Sequence, residues 1–174
     1  MTYEIDKAIE ILSRTPLVLE TLLNGISEEW VRSNEGANTW SPYDIVGHFI
    51  HGEKTDWIPR ARIILSDATD KTFAPFDRFA QEREDQAKPI TELLAEFKSL
   101  RKANIKALRS LGVNDSTLQK TGMHPELGEA NLKELLSTWV VHDLGHIAQM
   151  TRVMAKQYKT EVGPWKAYLT ILKK

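Results

Sequence analysis

Residues 131–153 read NLKELLSTWVVHDLGHIAQMTRV. Asn131 stands just before the first apolar residue, and Glu134 follows three positions on. That is the pattern of a capping box, in which the two side chains satisfy otherwise unpaired N–H groups at a helix start. Beyond this start, Leu135, Trp139, His142, His146, Gln149 or Met150, and Val153 recur at steps of three or four. They share one stripe of an α-helix that runs to about Tyr158 and has to bury that stripe against other helices. Two histidines interrupt the apolar stripe.

Helical spacing also dominates outside this stretch. Ile5, Ile9 (with Ala8) and Leu12 share a face that Leu19, Leu22 and Leu23 extend to a stop near Asn24-Gly25, with a kink or break expected at Pro16. In Trp40-Ser41-Pro42-Tyr43-Asp44, Ser41 reads as an N-cap, Pro42 as the first helical residue and Asp44 as its capping-box acid. This second helix is expected to reach Leu65, kinked at Pro59. Residues 67–88 lack a sustained apolar stripe and read as a long crossover with at most one short helical turn. A third helix starts at Pro89, carries Leu93, Leu94, Phe97, Leu100, Ile105 and Leu108, and stops at Gly112. A loop over 113–130 leads to the capped fourth helix. Pro164 to Leu172, with Trp165, Tyr168, Leu169 and Leu172 on one face, reads as a short C-terminal helix. No run alternates as a strand would for more than a few residues. The expected fold is all-α, a four-helix bundle in one domain spanning 1–174.

Composition narrows the function classes. Net charge is −1, and the 23 basic residues are scattered along the chain with no basic block, so no nucleic-acid partner is expected. There is no cysteine, which removes disulfides, thiolate ligands and a Cys nucleophile and fits a reducing, cytoplasmic setting. The start MTYEIDKAIEIL carries acids where a signal peptide needs a basic and then an apolar run. No apolar stretch is long enough to span a membrane.

His142 and His146, one turn apart, bring two imidazoles to the same side of the fourth helix. An H-x-x-x-H pair arises often by chance, and a buried histidine bonded to a carbonyl is common, so a third ligand decides the matter. His48, His51, Glu53 and His124 are available. His48 lies with Ile45 and Gly52 on the apolar side of the second helix, but periodicity does not separate it cleanly from His51. His48 is the preferred ligand and His51 a rim group. His124 precedes a proline and reads as a surface turn residue. His142-Asp143-Leu144-Gly145-His146 also has the layout of zinc peptidases, with Asp143 where those carry a glutamate base; Asp143 is one methylene shorter and can instead orient a ligand histidine. Arg60 and Arg62 read as a solvated face, and Trp139 as core.

Three motifs together carry a family resemblance: WSPYDIVGHF (40–49), HPELG (124–128) and WVVHDLGHIAQM (139–150). Over residues 38–172 the chain resembles the DinB-like superfamily of metal-binding four-helix bundles, the DNA-damage-inducible and YfiT-like group. The resemblance implies an up-down-down-up bundle, which accounts for the long 67–88 connection, and a homodimer. It further implies a divalent metal ion, zinc or nickel, on His48, His142 and His146. Such an ion can activate a thiol for S-transfer, the chemistry of characterised relatives with low-molecular-weight thiols, or activate water for hydrolysis. The expectation is therefore a metal-dependent enzyme acting on a small molecule, first a thiol S-transferase. The alternatives are a hydrolase with Asp143, His51 or Glu53 as base, and a non-enzymatic binding bundle.

Overall fold

In the computed structural model, residues 2–83 and 86–173 are described. Helix α1 (Ile5–Leu23) runs continuously through Pro16, so of the kink or break expected there no break occurs. Proline removes the bond to the carbonyl four residues back, here Leu12, and that carbonyl instead accepts from Arg101 Nη1 at 2.8 Å. A neighbouring helix thus replaces the missing bond. After the short α2 (Glu28–Arg32), the Ser41–Asp44 capping box forms and Pro42 opens α3 (Pro42–Thr55). The chain breaks at Asp56 and resumes as α4 (Trp57–Leu65). Pro59 explains the position, because its ring crowds the carbonyl of Thr55 and offers no N–H to it.

Helix α5 (Ile90–Ser110) begins after Pro89, and Gly112, with φ of 64°, turns the chain away beyond its end. The 113–130 segment is more ordered than a loop. A turn of helix, α6 (Asp115–Leu118), leads into a hairpin of β1 (Thr121–His124) and β2 (Gly128–Asn131), which pair antiparallel. Four-residue strands are too short to show an alternation. Asn131 and Glu134 then close both bonds of the capping box that starts α7 (Leu132–Lys156). The C-terminal segment is two 3-10 turns, Gly163–Ala167 and Thr170–Leu172, rather than one helix. Extended backbone at Leu169 separates them, leaving Trp165 and Tyr168 exposed while Leu172 is buried.

Cross-helix pairs set the directions. Glu20 meets Lys98 and Leu12 meets Arg101, so α1 and α5 are antiparallel. Tyr43 meets Lys88 and Asn104 meets Glu53, so α3 and α5 are parallel. His48 meets His142 and Trp57 stacks on Trp139, so the α3–α4 limb opposes α7. The order is up-down-down-up, and the parallel middle pair requires a connection as long as the bundle. That connection is residues 67–88, with one 3-10 turn at Ala80–Arg83. It is pinned to the hairpin by Phe73 N to Met123 O (2.9 Å) and Met123 N to Lys71 O (3.0 Å). None of the described helices is long and apolar enough to cross a membrane.

The core is divided in two. One apolar cluster holds Leu19, Leu23, Phe49, Phe97 and Met150; the other holds Ile9, Leu12, Trp57, Leu108, Leu136 and Trp139. Between them, at the same level on all four limbs, lie buried polar side chains: Thr15, His48, Glu53, Arg101 and Asp143. The buried Phe73 ring seals the hairpin side by packing on Gly122, where an added Cβ would fall 2.5 Å from its Cε1. Gly122→Ala is expected to lower stability by about 1–3 kcal/mol through overpacking. Chemical denaturation checks this, and an unchanged midpoint would refute it.

Candidate metal centre

The capping box at Ser41 fixes where α3 starts, and two turns later His48 points inward. On α7 the Asn131 box does the same for His142 and His146. Among the described residues, these three histidines have ligand atoms that all lie within 4.8 Å of one another. His48 Nε2 and His142 Nε2 are 3.0 Å apart. His146 Nδ1 bonds to Gln149 Oε1 at 2.7 Å, which leaves its Nε2 free to act as a lone-pair donor. Two imidazoles bound tetrahedrally at about 2.0–2.1 Å would hold their nitrogens roughly 3.3 Å apart. The spacing therefore fits a first-row divalent ion. The residues match its chemistry too, being imidazole nitrogen donors with no thiolate among them.

Burial pushes the His48 pKa down to about 3, reinforced by the neighbouring His146, His142 and His51 rings and by Arg78. Burial and His142 push His146 down to about 4 against the opposing bond to Gln149. Both imidazoles are held in the neutral form that binds metal. In the metal-free protein the unfolded chain, with imidazoles near 6.5, takes up protons that the folded chain refuses. Stability therefore falls as pH drops from about 6.5 toward 4. Thermal denaturation from pH 7 to 4.5 is expected to show that fall, and His48→Phe to lessen it; identical profiles would contradict the assignment.

Behind the histidines, Arg101 is 1% exposed and uses its whole guanidinium. Nε and Nη2 donate to Glu53 Oε1 at 3.0 and 2.8 Å. Nη1 donates to Asp143 Oδ2 at 2.5 Å as well as to Leu12 O, and Nη2 also donates to Asp143 Oδ1 at 3.1 Å. Thr15 Oγ1 donates to Asp143 at 2.6 Å, and Asn104 Nδ2 donates to Glu53 Oε2 at 2.9 Å. Burial pushes the Glu53 carboxyl up. Burial also opposes ionisation of Asp143, but the nearby His142 ring, the Arg101 guanidinium and the bond from Thr15 outweigh it and hold its pKa below the ordinary value. Asp143 Oδ1 lies 4.0 Å from His142 Nδ1. Arg101→Met leaves two buried carboxylates without their cation. The expected cost is about 3–5 kcal/mol, read from urea denaturation, and a loss below 1 kcal/mol would sink this account.

The remaining sequence-derived residues fall around this centre. His51 is half-buried one turn beyond His48 and packs on Phe76 at 5.0 Å between ring centres. His124 is a turn residue, as read: its Nδ1 accepts from the backbone N–H of Glu126 and Leu127, both at 3.1 Å. Arg62 is exposed. Arg60, read as solvated, is instead buried and paired with Asp56 at 2.8 Å, because the α3–α4 break turns that face inward. Trp139 is core, stacked on Trp57.

Three contributors escaped the sequence reading. Trp40 lies 4.7 Å from the His48 ring and 6.0 Å from that of His146, and Phe76 meets His48 edge-on at 5.5 Å. Arg101, four residues after Phe97, sits where α5 should carry an apolar side chain. That position, together with a mid-helix proline that frees a carbonyl, was the signal available.

A bundle that gathers three imidazoles over a buried ionic layer belongs to the class of helical proteins built to hold a metal ion. The family model of the DinB superfamily matches residues 11–150, and the chain belongs to that superfamily. Relatives from Bacillus cereus (strain 03BB102) and Bacillus thuringiensis subsp. konkukian (strain 97-27) are each 26% identical over 149 residues, 84% of this chain and 83% of theirs. Their names propose a metal-dependent hydrolase. Among solved structures, YfiT from Bacillus subtilis, described as "a probable metal-dependent hydrolase with an unusual four-helix bundle topology", matches with a TM-score of 0.73. It is 20% identical, and the match covers 91% of this chain and 87% of that one.

Proposed function

We propose that the chain is a metal-dependent hydrolase whose ion is held by His48, His142 and His146, with His51 taking up a proton at the rim. The observation that carries this reading is the convergence of three imidazoles on one point, with His48 and His146 held neutral by burial. The names of the curated relatives support hydrolysis over other metal chemistry. Zinc and nickel both suit three nitrogen donors. A divalent ion held there would supply the Lewis acidity that activates water near neutral pH.

The other side chains act around that centre. Trp40 and Phe76 cover His48 and limit the approach of bulk water. His51, half-buried beside Phe76, is placed to exchange a proton with solvent. Asp143 and Glu53 are held by Arg101, and we assign them to positioning: Asp143 steadies the backbone and ring of His142, and Glu53 locks α3 to α5.

A second reading, S-transfer from a low-molecular-weight thiol, is favoured by the same Arg101 pairing. With both carboxylates engaged, a substrate that loses its proton more readily than water needs less help from a base. Metal analysis and kinetics separate the readings. His48→Ala and His142→Ala are expected to lose stoichiometric metal, whereas His51→Ala keeps it and loses about a hundredfold in ester hydrolysis. Conjugation of a cellular thiol to an electrophile, with no hydrolysis across an ester and amide panel, would select S-transfer. A wild-type protein that takes up no stoichiometric zinc or nickel would end both.

A further inference from the structure

Above the three imidazoles the crossover lays down Phe76-Asp77-Arg78-Phe79. Phe76 meets the His48 ring at 5.5 Å, and Phe79 meets Trp40 edge-on at 6.3 Å. Trp40 in turn lies over His48 and His146. Arg78, between the two phenylalanines, is exposed and makes no ion pair among the described residues; its guanidinium lies 5.5 Å from the Phe79 ring centre. Two nearby acids among the described residues are otherwise engaged. Asp77 pairs with Arg83, and Glu82 accepts the Trp40 indole N–H at 3.3 Å. Most surface arginines are simply solvated. Arg78 differs in its place, between Phe76, which packs on His48, and Phe79, which packs on the Trp40 that lies over His48 and His146.

We infer that Arg78 and the rings of Trp40, Phe76 and Phe79 form the recognition end of the site, taking a substrate that carries an anionic group on a flat apolar body. The guanidinium fork matches the oxygens of a carboxylate or a phosphate. The three rings favour a planar, apolar partner beside it. As substrate recognition, this rests on the metal centre proposed above: an anion anchored by Arg78 would hold the rest of the molecule over the imidazoles.

Calorimetric titration tests it, with phenylacetate, phenylphosphonate and neutral phenylacetamide as probes. Wild type and Arg78→Gln are each compared metal-free and zinc-loaded. Metal-free wild type is expected to bind at least one anion about tenfold more tightly than the amide, as hydrogen bonding to a charged group allows. Arg78→Gln, at an exposed position, should erase that difference while zinc stoichiometry stays unchanged. The tighter of the two anions tells whether carboxylate or phosphate is preferred. Equal binding of anions by wild type and variant, or no preference for charge in wild type, overturns the inference even if zinc binds. Charge preference without zinc uptake would sustain the anion site and overturn the metal centre.

Discussion

One guanidinium sets the register of this bundle. Arg101, on α5, reaches Glu53 on α3, Asp143 on α7 and the Leu12 carbonyl on α1, so all four limbs meet at its planar head. A buried charge is tolerated only when its hydrogen-bonding capacity is filled. Sliding any one limb by a turn would leave Arg101 or one of its carboxylates unpaired in the core. Apolar contacts above and below supply most of the driving force, but they tolerate such slips far better than an ionic layer does. The metal centre inherits this precision. His142 precedes Asp143, and Glu53 follows His48 by five residues, so the clamp that aligns the helices also brings the imidazoles to one point.

The same layer explains how a proline survives inside α1. Taken alone, Pro16 should cost the helix a hydrogen bond and bend it. Here the orphaned carbonyl of Leu12 becomes an acceptor for Arg101, and Thr15, beside the proline, donates to Asp143. The defect in one helix is a binding element for another. Topology acts in a similar way. Parallel α3 and α5 require a crossover as long as the bundle, and that segment supplies Phe76 against His48 and Phe79 against Trp40. The connection that the fold imposes is also what covers the histidines.

What the sequence made legible was local. Ser41–Asp44 and Asn131–Glu134 announced two helix starts, since a capping box involves residues three apart. From those starts the stripes bearing His48, His142 and His146 could be counted, although the choice between His48 and His51 needed the opposing helix. What stayed hidden depends on partners distant in sequence. Pro16 reads as a kink or break until Arg101, 85 positions on, is seen to bond the carbonyl it leaves free. Arg60 reads as solvated until the break at Asp56 turns it inward. The hairpin at 121–131 draws its order from pairing with itself and with the crossover, not from alternation within either strand.

Asp143 shows why a motif has to be placed on its helix before it is given a role. In HDLGH it follows the first histidine directly, as an acid base does in zinc peptidases. Adjacent helical residues, however, project about 100° apart. With His142 and His146 facing α3, Asp143 turns toward α1 and α5, where Thr15 and Arg101 receive it. Its side chain is fully buried and its oxygens are engaged by those two residues. The same spacing that keeps the two imidazoles together therefore carries the carboxylate to the back of the helix. There it joins the packing that holds the imidazoles still.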